Sequence, residues 1–109
     1  MKRTILTMAA VASILSISPL KASAADPGCE EMKKQAQEAV SHGKAGHVDT
    51  LVKHATAMLS AGKLCKTGGE PAKQAMAEGQ SAVDHGKAGH LDVALKHAQE
   101  AAKHANEIK

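Results

Sequence analysis

His42-Gly43-Lys44-Ala45-Gly46-His47-Val48-Asp49 returns almost unchanged, 43 residues further along, as His85-Gly86-Lys87-Ala88-Gly89-His90-Leu91-Asp92. In each copy, glycines interrupt a run of apolar residues where two antiparallel helices would have to turn. The apolar residues on either side recur in heptads, not in alternation, which specifies helices over strands. Read as a and d positions, they are Cys29, Met32, Ala36, Ala39 and Gly43, then Val48, Leu51, Ala55, Met58 and Gly62. The second copy supplies Ala72, Ala75, Gly79, Ala82 and Gly86, then Leu91, Ala94, Ala98, Ala101, Ala105 and Ile108. A further apolar column at e (Val40, Val52, Leu59, Met76, Val83, Leu95, Ala102) widens each stripe to that of a bundle helix.

The punctuation between these runs agrees with that reading. Asp26-Pro27 reads as a cap followed by proline in the first helical turn, with Glu30 and Glu31 just behind it. Glu70-Pro71 opens the third run similarly, and Lys66-Thr67-Gly68-Gly69 is the one longer linker. The pattern predicts helices over 27–42, 47–65, 71–85 and 90–108. The fold class expected is all-α: an antiparallel up-down-up-down four-helix bundle built from two repeated hairpins, about 27–65 and 70–108.

The amino-terminal residues read as an address. Met1-Lys2-Arg3 is a basic start, Ile5 to Ile17 is mostly apolar, and Ala22-Ser23-Ala24 is an A-x-A cleavage site. Residues 1–24 are therefore expected to be a signal peptide and 25–109 a single secreted domain, periplasmic and monomeric. The formal charge of the whole chain is +3, but Lys2, Arg3 and Lys21 leave with the leader. The mature chain then carries 11 Lys against 11 acidic residues, without the basic surplus of a nucleic-acid-binding surface. It has no Phe, Tyr or Trp, so no aromatic side chain is available to stack on a base and none to thicken the core.

A core of Ala, Val, Leu, Met and Gly is thin for a small domain, and such chains often need a covalent staple. Export to an oxidising compartment favours a disulfide between Cys29 and Cys65, which fall at the same end of the first hairpin. The competing reading makes them two thiolate metal ligands, and a count of free thiols separates the two.

All seven histidines, His42, His47, His54, His85, His90, His97 and His104, fall at heptad position g, beside the core. A lone histidine on a helix flank is ordinarily a half-buried polar residue, and duplication by itself would copy three of these. Seven in one register, bracketing both turns, point instead to metal, because neutral imidazole is the commonest metal-ligating side chain. Across each groove His42 should meet His47, and His85 should meet His90, and these are the primary ligand pairs expected. One turn further in, Gln35 faces His54 and Glu78 faces His97 as secondary pairs, and His104 is weaker still. Residues seven apart on one helix are separated by about 10.5 Å along its axis, so an ion must draw its ligands from across a groove. The expected metal set is the seven histidines and Glu78, with Asp49 and Asp92 orienting imidazoles or adding oxygen. Open imidazole sites completed by water follow the general affinity order, which places Cu2+ first and Ni2+ and Zn2+ behind. Met32, Met58 and Met76 sit at core positions and read as packing.

The His-Gly-Lys-x-Gly-His turn, followed by a Lys-His-Ala step at Lys53-His54-Ala55 and Lys96-His97-Ala98, resembles the small metal-binding protein family. The resemblance covers essentially the mature chain and implies a periplasmic four-helix bundle that binds copper and other divalent metals, buffering or sequestering them. The chain departs from that pattern at Ala61, where a further g-position ligand could stand, and in its cysteine pair. Two rival readings use the same residues differently: a helical interaction module with an apolar groove, and a pH-responsive envelope protein. Neither catalysis nor a nucleophile-and-base arrangement is legible, so an enzyme is not expected.

Overall fold

A computed structural model describes residues 26–109; the expected signal peptide, 1–24, lies outside the described residues. The chain forms four helices, α1 (Pro27–Lys44), α2 (Val48–Leu64), α3 (Gly69–Lys87) and α4 (Leu91–Asn106). Helix α1 packs on α2 and α4, and α3 packs on α2 and α4, the arrangement of an antiparallel four-helix bundle. No helix among the described residues is long and apolar enough to cross a membrane.

Residues at the a and d positions fill the interior. Met32, Leu51 and Met58 are the largest fully buried side chains, and alanines supply most of the rest. The core has two parts. One, at the cysteine end, joins Cys29, Met32, Ala36, Met58, Ala61, Ala72, Ala75, Ala101, Ala105 and Ile108. The other, towards the turns, joins Ala39, Leu51, Ala55, Ala82, Val83, Ala94 and Ala98, and Leu59 packs against both. Of the e-position residues Val83 is buried, while Val40, Val52, Leu59, Met76, Leu95 and Ala102 are partly covered.

The turns differ from expectation in one respect. Helices α1 and α3 run two residues past His42 and His85, so Gly43 and Gly86 are helical and buried. These two glycines make room: a Cβ on Gly43 would press into Leu51 and Leu95, and one on Gly86 into Val52. The break comes at Gly46 and Gly89, whose φ angles of 84° and 79° favour glycine. The His47 amide donates to the His42 carbonyl at 2.9 Å and the Gly46 amide to the Gly43 carbonyl at 3.0 Å. His90 and Gly89 repeat the pair on His85 and Gly86 at the same distances. This is a Schellman ending, in which a glycine of positive φ lets two amides fold back onto orphaned helix carbonyls.

The opposite end is clamped. Cys29 and Cys65 form a disulfide across 36 residues of sequence, which sets aside the thiolate-ligand alternative for the bridged protein. Asp26 caps α1 through its Oδ1, which accepts from the Gly28 amide at 3.0 Å. Its Oδ2 accepts from the Lys66 and Thr67 amides at 2.7 and 3.0 Å and from the Thr67 hydroxyl at 3.2 Å. One carboxylate thus ties the start of α1 to the α2–α3 linker. The Thr67 amide first, helped by those of Lys66 and Gly28, holds the Asp26 carboxyl below its ordinary range.

Two outcomes follow for stability. Replacing both cysteines by serine should cost roughly 3–4 kcal/mol in the chain-entropy account, read as a lower urea midpoint. Because folding lowers the Asp26 pKa, its ionised form favours the native state. That contribution is complete above the unfolded carboxyl pKa and disappears as pH falls through the folded one. Asp26→Asn should therefore unfold with a shallower acid dependence than the parent between about pH 5 and pH 2. Superimposable acid-unfolding profiles would remove this role from Asp26.

Candidate metal centre

The Schellman turn places the first pair of rings. In that motif the side chains three residues inside the helix end and just beyond the glycine come together, usually as an apolar contact. Here those positions are His42 and His47, with ring centroids 6.2 Å apart, and His85 and His90, 6.1 Å apart. The turn geometry that reverses the chain thus also draws two imidazoles together. His47 and His90 are exposed, whereas His42 and His85 are half-buried in the grooves.

A closer pair lies one step further from the turn. His42 and His54 stack with centroids 5.0 Å apart and ring planes 2° from parallel. His85 and His97 do the same at 5.3 Å and 4°. Pairing residues by height along the hairpin misses this contact, because helical side chains lean towards the amino terminus of their own helix. On α1 that direction leads His42 away from the turn, and on α2 it leads His54 towards it. The two rings converge, closer to each other than His42 is to His47. His42 and His85 are consequently each shared between an outer and an inner neighbour.

The inner rings are held from behind. His54 Nδ1 lies 2.7 Å from Gln35 Oε1, and Gln35 Nε2 donates to Glu31 Oε1 at 2.6 Å. With its amide nitrogen committed to Glu31, Gln35 turns its oxygen to the ring, so Nδ1 of His54 must carry the proton. In the second hairpin His97 Nδ1 lies 2.6 Å from Glu78 Oε2, a carboxylate that accepts from the same nitrogen. In each case Nε2 is left as the lone-pair nitrogen, which is how metal-binding histidines are commonly oriented by a hydrogen bond to the other ring atom. The carboxylate of Glu78 is therefore already engaged with His97.

Glu38 is a functional candidate that sequence reasoning passed over. It lies one helical turn before His42, with its Oε2 3.8 Å from His42 Nε2. Glu38, His42 and His54 each offer a ligand atom within 4.8 Å of the others. Its heptad position is c, ordinarily solvent-facing, so only the i,i+4 spacing to a groove histidine could have revealed it. Asp26, Cys29 and Cys65 also lie together, but the two sulfurs are bonded to each other.

Among the described residues His104 is not stacked on another histidine ring. It is half-buried near the end of α4, its Nδ1 has no hydrogen-bond partner, and Glu107 Oε2 is 3.7 Å away. Ala61, its counterpart in the first hairpin, is buried beside Cys29 in the core. Asp49 and Asp92 are exposed in the first turns of α2 and α4.

The donor set suits a divalent ion. Imidazole nitrogen and carboxylate oxygen converge from two helices with the inner tautomers set. Lone pairs lie in the ring planes, so with the inner rings held, His42 and His85 would have to rotate about χ2, a soft torsion, to point at the same ion. The fold and this site define a small helical bundle with paired imidazole grooves. The chain belongs to the small metal-binding protein family, whose description matches residues 1–108. No individual curated protein matches it.

The hydrogen bonds behind the inner rings have a direct spectroscopic readout. Above the range in which imidazole protonates, His54 and His97 should show a protonated Nδ1 and a bare Nε2 in long-range 1H–15N spectra. The reverse assignment at His54 would contradict the Glu31–Gln35–His54 relay.

Proposed function

We propose that this protein binds divalent metal, Cu2+ in preference to Ni2+ or Zn2+, in the two interhelical grooves, and that it buffers or sequesters the ion without catalysing a reaction. The observation that carries this reading is the stacked pair of imidazoles in each hairpin, with its inner ring held by Nδ1. Membership of a family described as metal-binding supports it independently. The ligands are His42 with His54 and His85 with His97, and His47 and His90 serve as outer alternatives to the inner rings. An ion cannot use His47 and His54 together, because about 10.5 Å of helix axis separates residues seven apart. His104 is a weaker, separate position, and Glu78 acts through His97.

Copper heads the order because nitrogen donors bind it more tightly than the neighbouring divalent ions, in line with the general series. The periplasm is the compartment we assign, on the A-x-A leader and on a cysteine pair that is bridged. A monomer suffices, since every ligand named comes from one chain.

Imidazole ligates only when neutral, and unperturbed histidine side chains protonate around pH 6.5. Cu2+ affinity of the mature protein should therefore drop sharply between pH 7 and about pH 5 in calorimetric titrations. The double variant His42→Ala, His85→Ala removes the shared ring of both grooves and should abolish the tightest binding. Affinity that is equal at both pH values, and unchanged in that variant, would reject histidine ligation.

A further inference from the structure

The two hairpins share three histidines but not the carboxylates nearest to them. Aligning the copies puts Gln35 against Glu78 and Glu38 against Ser81. The acidic side chain nearest the histidines is therefore Glu38 in the first copy and Glu78 in the second, at sites one helical turn apart. In the first hairpin the carboxylate stands beside the stacked pair, where Glu38 Oε2 approaches His42 Nε2 at 3.8 Å. In the second it is behind the pair, where Glu78 Oε2 engages His97 Nδ1 at 2.6 Å. Ser81, which takes the place of Glu38, is half-buried on the same flank, and its hydroxyl donates to the Ala77 carbonyl at 3.3 Å.

Building on the metal-binding reading above, we infer that the two grooves are not equivalent, and that the first hairpin is the tighter site because Glu38 completes a three-ligand set. Glu38 makes no hydrogen bond to another side chain or to the backbone among the described residues, so its oxygens are available to an ion. It is half-exposed, with a side-chain accessibility of 46%, and binding a cation there does not require extracting a buried charge. Two imidazoles and one carboxylate from facing helices form a nitrogen-oxygen set suited to Cu2+, with water completing the coordination. The second groove presents two imidazoles, and the negative charge of Glu78 reaches an ion only through the His97 ring. A carboxylate hydrogen-bonded to a ligating histidine orients it and raises its basicity, but does not add a bond to the metal. Glu38 is thus the residue that ranks the sites, and the ion enters the amino-terminal hairpin first.

The test uses the oxidised mature protein, uniformly 15N-labelled, titrated with Cu2+ below one equivalent at pH 7. Paramagnetic broadening should reach the signals of His42 and His54 before those of His85 and His97. Glu38→Gln should weaken the first binding event by about tenfold and bring the two hairpins level. Ser81→Glu should strengthen the second site and erase the order from the other direction. Both side chains lie on a helix flank outside the core, and an unchanged 1H–15N spectrum of each metal-free variant confirms the fold. Simultaneous broadening of both hairpins in the parent, or an order that Glu38→Gln leaves intact, overturns the ranking while leaving metal binding in place. Absence of broadening at any histidine overturns the ranking and the underlying reading together.

Discussion

Two helices can approach only as closely as the residues between them allow, and in this bundle most of those residues are alanine or glycine. Among the described residues Met32, Leu51 and Met58 are the largest side chains wholly enclosed. Elsewhere contact is made by methyl groups or by helix surface that has no side chain at all, as at Gly43 and Gly86, where the neighbouring Leu51, Leu95 and Val52 occupy the space a Cβ would need. Close packing recovers dispersion energy that a thin core would otherwise forgo. It also narrows the grooves, and short side chains on facing helices can then touch. Stacking of His42 on His54 and of His85 on His97 depends on that narrowness.

The ends of the hairpins show what such a core requires. At one end a disulfide and the four-way acceptor Asp26 hold α1 to the α2–α3 linker. At the other, a Schellman turn closes each hairpin with two backbone hydrogen bonds. The position that such turns commonly use for an apolar contact is given to a pair of imidazoles. The fold has thereby exchanged a small packing gain for two nitrogen donors placed by the backbone itself. No long loop has to be ordered to bring them together, which keeps the entropic cost of the arrangement low.

Duplication and divergence can be read separately in the grooves. Three histidine positions and the turn glycines repeat from one hairpin to the other, and the turn hydrogen bonds repeat almost to the tenth of an ångström. The group behind the inner ring does not: Gln35 in one copy and Glu78 in the other. Both accept from Nδ1, so the ring orientation survives a change of charge. The acidic residue beside the shared ring, Glu38 at His42, is likewise present in one copy only. What the two copies have in common is the placement of the rings, and what separates them is where the negative charge lies.

Much of this was legible in the sequence. The a and d residues predicted to be interior are interior, apart from partial exposure at Val48 and Leu91 near the turns. The facing of Gln35 on His54 and of Glu78 on His97 followed from register. The turn glycine was identified, but not that Gly43 and Gly86 remain helical, since a glycine in a repeat can break a helix or make room for a neighbour. Heptad labels define which residues share a face, and composition defines how thin the core must be; both are local properties of a chain with a 3.6-residue period. They carry no information on how a side chain leans once two helices run in opposite directions, nor on how near the helix axes come. Those two quantities, set only when the helices pack, put His42 against His54 and brought Glu38, a nominally outward residue, to the edge of the groove.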